Sequence, residues 1–341
     1  MTEPRKILAI HFKFLGDVVI GVPALRAIHE QFPNAELHVL VAEEAAPLLK
    51  PIPWITRVWG VPRVRGKATF TKHWPVIRAL RKERFDRSVD LAGNDRGAFI
   101  SLLAGASQRL GPVAPKGFWG RRFCYNQRVE ELDIYRPEVT RLVHILTGWG
   151  IKPRSLDLEL HVDPKWNNFA KGMVAEGSLI AQVTTSQPKK EWPLALWARF
   201  YEQATAAGLN VIFAAGPSAR DQGVLKELKA LTPTALILPV IQDLAAYLAV
   251  LRRAKIFVTG DTGPLHFAVA LKVPTVSLFG PSHVVQWRPM EEPHQVLCGV
   301  RCQCLGHFHV CDKGNLCMSS ITPEQVMSAV QVILNRAGTK N

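Results

Sequence analysis

The fold class this sequence predicts is a tandem α/β chain whose two halves are each built on a parallel sheet with helices on both faces. Three observations predict it. Short apolar runs with β-branched content recur, helical apolar periodicities alternate with them, and the alternation restarts past the middle of the chain. A length of 341 residues suits two domains at ~100 to 200 residues each.

In the first half, Ile7 to Phe12 reads as a strand, Gly16 and Asp17 as a tight loop, and Val18, Val19, Val22, Leu25 and Ile28 as the apolar stripe of a helix. Glu36 to Val41 and Arg87 to Leu91 read as strands, Val76 to Arg84 and Gly97 to Ala104 as helices. Lys152 to Lys165, broken by Pro and charge, separates the halves. Beyond it, strands are expected at Leu179 to Val183, Asn210 to Ala214, Lys255 to Val258 and Thr275 to Phe279. Helical patterns lie between or after them at Leu194 to Ala207, Ala219 to Leu231, Leu244 to Arg253 and Leu265 to Leu271. The expected domains are 1–165 and 166–322, with 323–341 a last helix packing back on the first domain. Open α/β sheets bind ligands outside the carboxyl ends of their strands, so a donor is expected in one half and an acceptor in the other.

Hydrophobic residues at 48% and charged residues at 21% are globular values and exclude disorder. Apolar runs such as Leu244 to Leu251 fall short of the ~20 residues that span a bilayer. The charged start, Met1 to Lys6, has no signal-peptide character, so a cytoplasmic location is expected. Lys and Arg number 42 against 28 Asp and Glu, a net charge of +14, which predicts a polyanionic partner. Much of this excess falls in the first half, from Arg57 through Arg84 and again from Arg109 to Arg122.

Four loops carry the chemistry. Thr259-Gly260-Asp261-Thr262-Gly263-Pro264-Leu265-His266 follows an apolar strand and opens a helix, a place where backbone N–H groups and the helix dipole can hold a diphosphate. A second reading stands beside it, in which Asp261 or Thr262 only caps the helix and His266 is a packed histidine. Thr184-Thr185 through Lys189-Lys190-Glu191-Trp192-Pro193, after the first strand of the second half, offers hydroxyls and an ammonium group to a leaving phosphate; the lysines as solvated loop charges are the alternative. Gly216 to Asp221 places a carboxylate at another strand end, where it either accepts ribose hydroxyls or starts a helix. In Phe12 to Asp17, the Asp17 carboxylate suits a base for an attacking hydroxyl, or a helix cap.

These residues resemble glycosyltransferase family 9, the lipopolysaccharide heptosyltransferases. The resemblance runs through Phe14 to Ile28, Asp90 to Ala98, Lys189 to Pro193, Gly260 to Leu271, and Phe279 to Pro289. The blocks at Gly216 to Asp221 and Trp287 to Pro289 look most similar to the heptosyltransferase III branch. The resemblance implies a GT-B fold, two Rossmann-like domains facing across a cleft. It implies inverting transfer of heptose from ADP-heptose to the inner core of lipopolysaccharide, with no metal or other cofactor. It makes Asp17 the general base and brings Lys190 and Thr184, with Thr185, to the donor phosphates. Asp221 takes the ribose position, where family members often carry Glu, and Asp261, Thr262, Gly263 and His266 form the diphosphate and sugar cradle. For the acceptor, Arg63, Arg65 and Lys67, with Asn94 and Arg96, are the expected contacts. The partners are the donor and the lipopolysaccharide acceptor, with peripheral contact at the inner membrane and no nucleic acid, and the protein is expected to be a monomer.

Cys298, Cys302, Cys304, Cys311 and Cys317 lie close together with His307 and His309, but Cys302 and Cys304 are too closely spaced for the usual zinc pair, and a packed, reduced loop is expected. No G-x-G-x-x-G, Walker, H-E-x-x-H or G-x-S-x-G pattern is present to support a dehydrogenase, an ATPase or a hydrolase. The alternatives are a transferase using another nucleotide sugar, a GT-B-like sugar-nucleotide epimerase, and a non-catalytic protein that binds anionic glycolipid.

Overall fold

The computed structural model describes residues 3–62, 70–113, 117–118, 120–301 and 314–338, with main chain alone at 70–72 and 337–338. Two compact units divide the chain between His161 and Val162, just ahead of the expected boundary at 165.

In the first unit the strands are β1 (Lys6–His11), β2 (Glu36–Ala42), β3 (Arg57–Val61), β4 (Arg87–Asp90), β5 (Gln108–Val113) and β6 (Gln127–Glu130). Its helices are α1 (Leu15–Ile20), α2 (Val22–Gln31), α3 (Ala46–Leu49), α4 (Phe70–Glu83), α5 (Asp95–Ala104) and α6 (Glu138–Ile145). The six strands pair in parallel in the order β3-β2-β1-β4-β5-β6. The chain therefore winds outward from β1 one way and from β4 the other, and the topological switch point lies between β1 and β4. β1 is buried along nearly its whole length because both sheet faces are covered. On one face Leu8, Ile10 and Leu40 meet Ile77 and Leu80 of α4 and Ile100 of α5.

The second unit repeats the plan. Its strands are β7 (Leu179–Gln182), β8 (Val211–Ala214), β9 (Leu236–Ile237), β10 (Ile256–Gly260), β11 (Thr275–Phe279) and β12 (Gln295–Cys298). Its helices are α7 (Asn167–Met173), α8 (Leu194–Ala206), α9 (Ala219–Leu231), α10 (Leu244–Leu251), α11 (Gly263–Ala270), α12 (Val284–Trp287), α13 (Leu316–Ser319) and α14 (Pro323–Gly338). The parallel order β12-β11-β10-β7-β8-β9 puts this switch point between β7 and β10. The core joins Leu179, Val211, Phe213 and Val258 of the sheet to Trp197 and Phe200 of α8. The expectation placed the last helix on the first unit. Its apolar residues Val326, Ala329, Val330 and Ile333 instead fill this second core, because their spacing forms one stripe facing α8.

Candidate active site

In the first unit, β1 ends at His11 and the chain turns through Phe12 and Lys13 into α1, placing Asp17 in that helix's first turn. The Asp17 carbonyl accepts from the Gly21 amide at 2.9 Å and from His11 Nε2 at 3.0 Å. His11 is buried and its ring is held neutral, its pKa pushed down to about 4 chiefly by that burial. With Nε2–H facing a carbonyl, Nδ1 stays a bare lone pair, and it has no hydrogen-bond partner. A side chain at position 21 would stand 3.1 Å from His11 Nε2, so the glycine lets the ring reach the loop. The Asp17 carboxyl is half-buried, and desolvation raises its pKa to about 6, with Lys13 pulling it down and Glu138 pushing it up. A base with that value is ionised at neutral pH yet still basic enough to take a proton.

β4 ends at Asp90, fully buried, which organises the neighbouring loop. Its Oδ1 accepts from the amides of Ala92 (2.9 Å) and Gly93 (3.2 Å), and its Oδ2 accepts from the Tyr125 hydroxyl at 2.6 Å. Burial lifts its pKa to about 6 while those three donors oppose the rise. Asn94 then caps α5, its Oδ1 accepting from the Gly97 amide at 2.9 Å, while its Nδ2 donates to the Phe12 carbonyl at 2.8 Å. One side chain thus ties together the two loops at the switch point. Asn94, expected to touch the acceptor, has both ends of its amide engaged in the fold. Arg96 lies half-buried with its guanidinium 5.9 Å from the Phe12 ring centre. Arg63, Arg65 and Lys67 lie outside the described residues.

In the second unit the loops after β7 and β10 flank the switch point. Lys190 Nζ donates to Asp261 Oδ2 at 2.6 Å, so these two loops meet through an ion pair. A side chain at Gly260 would lie 3.0 Å from the Lys190 carbonyl, and the missing Cβ permits the approach. Thr262 stands at the N-cap of α11 with extended backbone and makes no side-chain cap hydrogen bond, and Asp261 is bound to Lys190. The capping alternative for both residues therefore fails; Pro264 has no N–H and the Leu265 amide donates to the Thr262 carbonyl at 3.1 Å, so the Gly263 and His266 amides are the first-turn donors of α11 left to a ligand. His266 is buried in that helix and neutral, its pKa pushed down to about 4 by burial.

The two threonines differ. Thr184 Oγ1 accepts from the Gly216 amide at 3.0 Å and from Gln182 Nε2 at 3.2 Å, which leaves its own O–H to donate. Thr185 donates its hydroxyl to the Gln187 carbonyl at 2.7 Å and its amide to Glu191 Oε1 at 2.8 Å, so both donors serve the loop. Asp221 occupies the third position of α9, where Ser218 donates to its Oδ2 at 2.6 Å and Arg220 to its Oδ1 at 3.1 Å. The helix-start alternative for Asp221 is realised. Sequence reasoning missed Arg220, which grips Glu191 with its two terminal guanidinium nitrogens and reaches the Thr185 carbonyl at 3.2 Å. It also missed His11 and Tyr125, for which a polar residue ending an apolar strand is the only local signal in the case of His11. Cys124, buried, and Cys298, exposed, are free thiols. Among the described residues no cluster of His, Cys, Asp or Glu could hold a metal, and Cys302, Cys304, Cys311, His307 and His309 lie outside them.

Two doubly wound units of GT-B class, one presenting a carboxylate at its switch point and the other a lysine beside a helix start, define a nucleotide-sugar transferase. Residues 73–316 match glycosyltransferase family 9 (heptosyltransferase), and the chain belongs to that family. It is similar to lipopolysaccharide heptosyltransferase 3 of Escherichia coli, 24% identical over 338 residues, with 94% of this chain and 96% of that protein covered. In fold it resembles the glycosyl transferase family 9 structure from Veillonella parvula, at TM-score 0.83 and 19% identity, covering 97% of each chain. It also resembles the Escherichia coli ADP-heptose LPS heptosyltransferase II, at TM-score 0.79 and 22% identity, covering 97% of this chain and 99% of that one.

Proposed function

We propose that this protein transfers heptose from ADP-heptose to the inner core of lipopolysaccharide with inversion at the anomeric carbon. The observation that carries the reading is the Lys190–Asp261 pair at the β7/β10 switch point beside the uncapped start of α11, a ready site for a diphosphate.

In the reaction Asp17 takes the proton of the acceptor hydroxyl as its oxygen bonds to the anomeric carbon of the sugar. The bond from that carbon to the diphosphate breaks, and ADP leaves with the electron pair. Lys190 and the Gly263 and His266 amides meet the charge that builds on the leaving oxygen, work that a divalent ion would otherwise do. The Thr184 hydroxyl is a further donor to the phosphates, whereas Thr185 and Arg220 hold the loop that presents them. Asp221 meets the ribose through whichever lone pairs Ser218 and Arg220 leave open. His266, neutral, lines the sugar side.

The acceptor carries phosphate and acidic-sugar carboxylates, and Arg63, Arg65, Lys67 and Arg96 are the cations assigned to it. Asn94 acts by holding the Phe12 carbonyl rather than by touching the acceptor. The enzyme works as a cytoplasmic monomer that meets its acceptor at a membrane surface. Among the described residues no helix is long and apolar enough to cross a membrane. The test is a donor screen on truncated lipopolysaccharide cores, read by product mass. Addition of heptose from ADP-heptose supports the reading, and transfer of another sugar, or donor binding without transfer, overturns it.

A further inference from the structure

We propose that the solvent face of α4 is a docking surface for an anionic lipid bilayer. The proposal rests on the reading that the acceptor is a lipid-anchored glycolipid, and it names the part of the protein that meets the membrane.

The stripe is built by spacing. Trp74, Arg78, Arg81 and Lys82 are all exposed, the indole at 56%. At 3.6 residues per turn they fall within an arc of about 100° along roughly 12 Å of helix. Ile77 and Leu80 occupy the opposite side and are buried in the core against β1 and α5. Glu83, the one acidic residue of α4, is bonded to Lys6 at 2.9 Å and Arg57 at 3.1 Å, so its charge does not offset the stripe. Arg81 and Lys82 alone would be ordinary partners for a helix C-terminus. That account covers neither Arg78 nor a tryptophan left in water two turns upstream. An indole beside several cations is the composition of a helix that lies in the headgroup layer of an anionic membrane.

Position favours the same partner. α4 connects two parallel strands and runs back along the sheet, so its Trp74 end lies toward the carboxyl edges of the strands. The neighbouring His73 feels the charge of Arg96, the residue beside Phe12. A bilayer anchored at Trp74 would present a headgroup sugar to the loops that hold Asp17. A single-stranded nucleic acid would instead call for several stacking aromatics between the cations, and among the described side chains of α4 one large aromatic, Trp74, is exposed.

The experiment is co-sedimentation of the full chain with phosphatidylglycerol/phosphatidylcholine vesicles and with pure phosphatidylcholine vesicles at two salt concentrations. The wild type is expected to bind the anionic vesicles and to release as salt rises. A variant with Arg78→Ser, Arg81→Ser and Lys82→Ser should lose partitioning by on the order of 100-fold, at about 1 kcal/mol for each basic side chain. Replacing the same three by the alternative base, Arg78→Lys, Arg81→Lys and Lys82→Arg, should keep it, and Trp74→Ser should weaken binding at both salt concentrations. A single-stranded RNA homopolymer is run as a third partner, and absence of wild-type vesicle binding, equal vesicle binding by the serine variant, or a loss seen with the RNA alone overturns the surface. Transfer to a delipidated core acceptor is measured in parallel. If that transfer fails in the wild type the heptosyltransferase reading falls, and if it persists while the serine variant still binds vesicles the docking surface falls alone.

Discussion

Lys190 Nζ sits 2.6 Å from Asp261 Oδ2, so the cation at the β7/β10 switch point is already balanced by a carboxylate before any diphosphate arrives. A diphosphate must share that ammonium, and Asp261, almost fully buried, cannot turn away into water.

Removing the lysine should therefore do two kinds of harm. Lys190→Ala is expected to weaken donor binding and slow transfer together, because the site loses a cation and keeps an unbalanced carboxylate. Adding Asp261→Asn should restore part of the donor affinity while leaving the rate low. Calorimetric titration with ADP across the four members of the double-mutant cycle reads this coupling, and strictly additive losses would refute it.

Asp17→Asn should lower kcat by roughly 10² to 10⁴ with little change in donor affinity, the scale of a lost general base. The same variant should melt at a temperature no lower than the wild type at pH 7, and by a few degrees higher if the burial of the carboxylate is the dominant cost. Near-normal turnover removes Asp17 from its role.

The pH dependence follows from the same group. Asp17, raised from 3.8 to about 6, retains its proton in the folded chain through that window. The folded state therefore binds more proton than the unfolded one there, and the stability this group contributes falls as pH rises from about 4 to about 6. Activity runs the other way, since only the ionised form accepts a proton, so kcat/KM should drop one decade per pH unit below about 6. Asp90, also raised to about 6, adds to the stability trend without touching the reacting atoms. Rate profiles on wild type and Asp17→Asn separate the two, because the residual rate of the variant should lose this limb.

Transfer is expected to proceed in EDTA at the untreated rate, with the Lys190 ammonium and the α11 amides supplying the positive charge. A rate abolished by chelation and returned by magnesium or manganese would assign that work to an ion.

Much of the doubly wound plan was legible because β1, β7, β10 and β11 are buried on both faces and so are continuous apolar runs. The strands outside that reading lie toward the sheet margins. β3 (Arg57–Val61) carries Gly60 and is half exposed, β5 contains Pro112, and β9 is two residues long. α4 begins at Phe70 rather than Val76 because Pro75 sits inside it, where the pattern alone marks a start. The loops with site residues were legible as strand ends. The work of each side chain within them was not, because Asn94 meets Phe12 and Thr184 meets Gly216 across the sheet order, far apart in the chain.

The grip on Asp17 is on its main chain. His11 and Gly21 both donate to its carbonyl, while the main chain at Phe14 and at Asp17 itself hydrogen-bonds the carboxyl and lowers its proton affinity. The Asp17 side chain is thus held at its root and steadied at its tip, like a short arm on a fixed shoulder. Reach and strength are coupled at the tip: lengthening the arm, as in Asp17→Glu, leaves the carbonyl anchor in place but moves the oxygens by a bond length relative to those main-chain donors. Changing Lys13 or Glu138 instead retunes the proton affinity and leaves the reach alone. A family built on this anchor can adapt to acceptor hydroxyls at different depths by substitutions around the arm, with the shoulder unchanged.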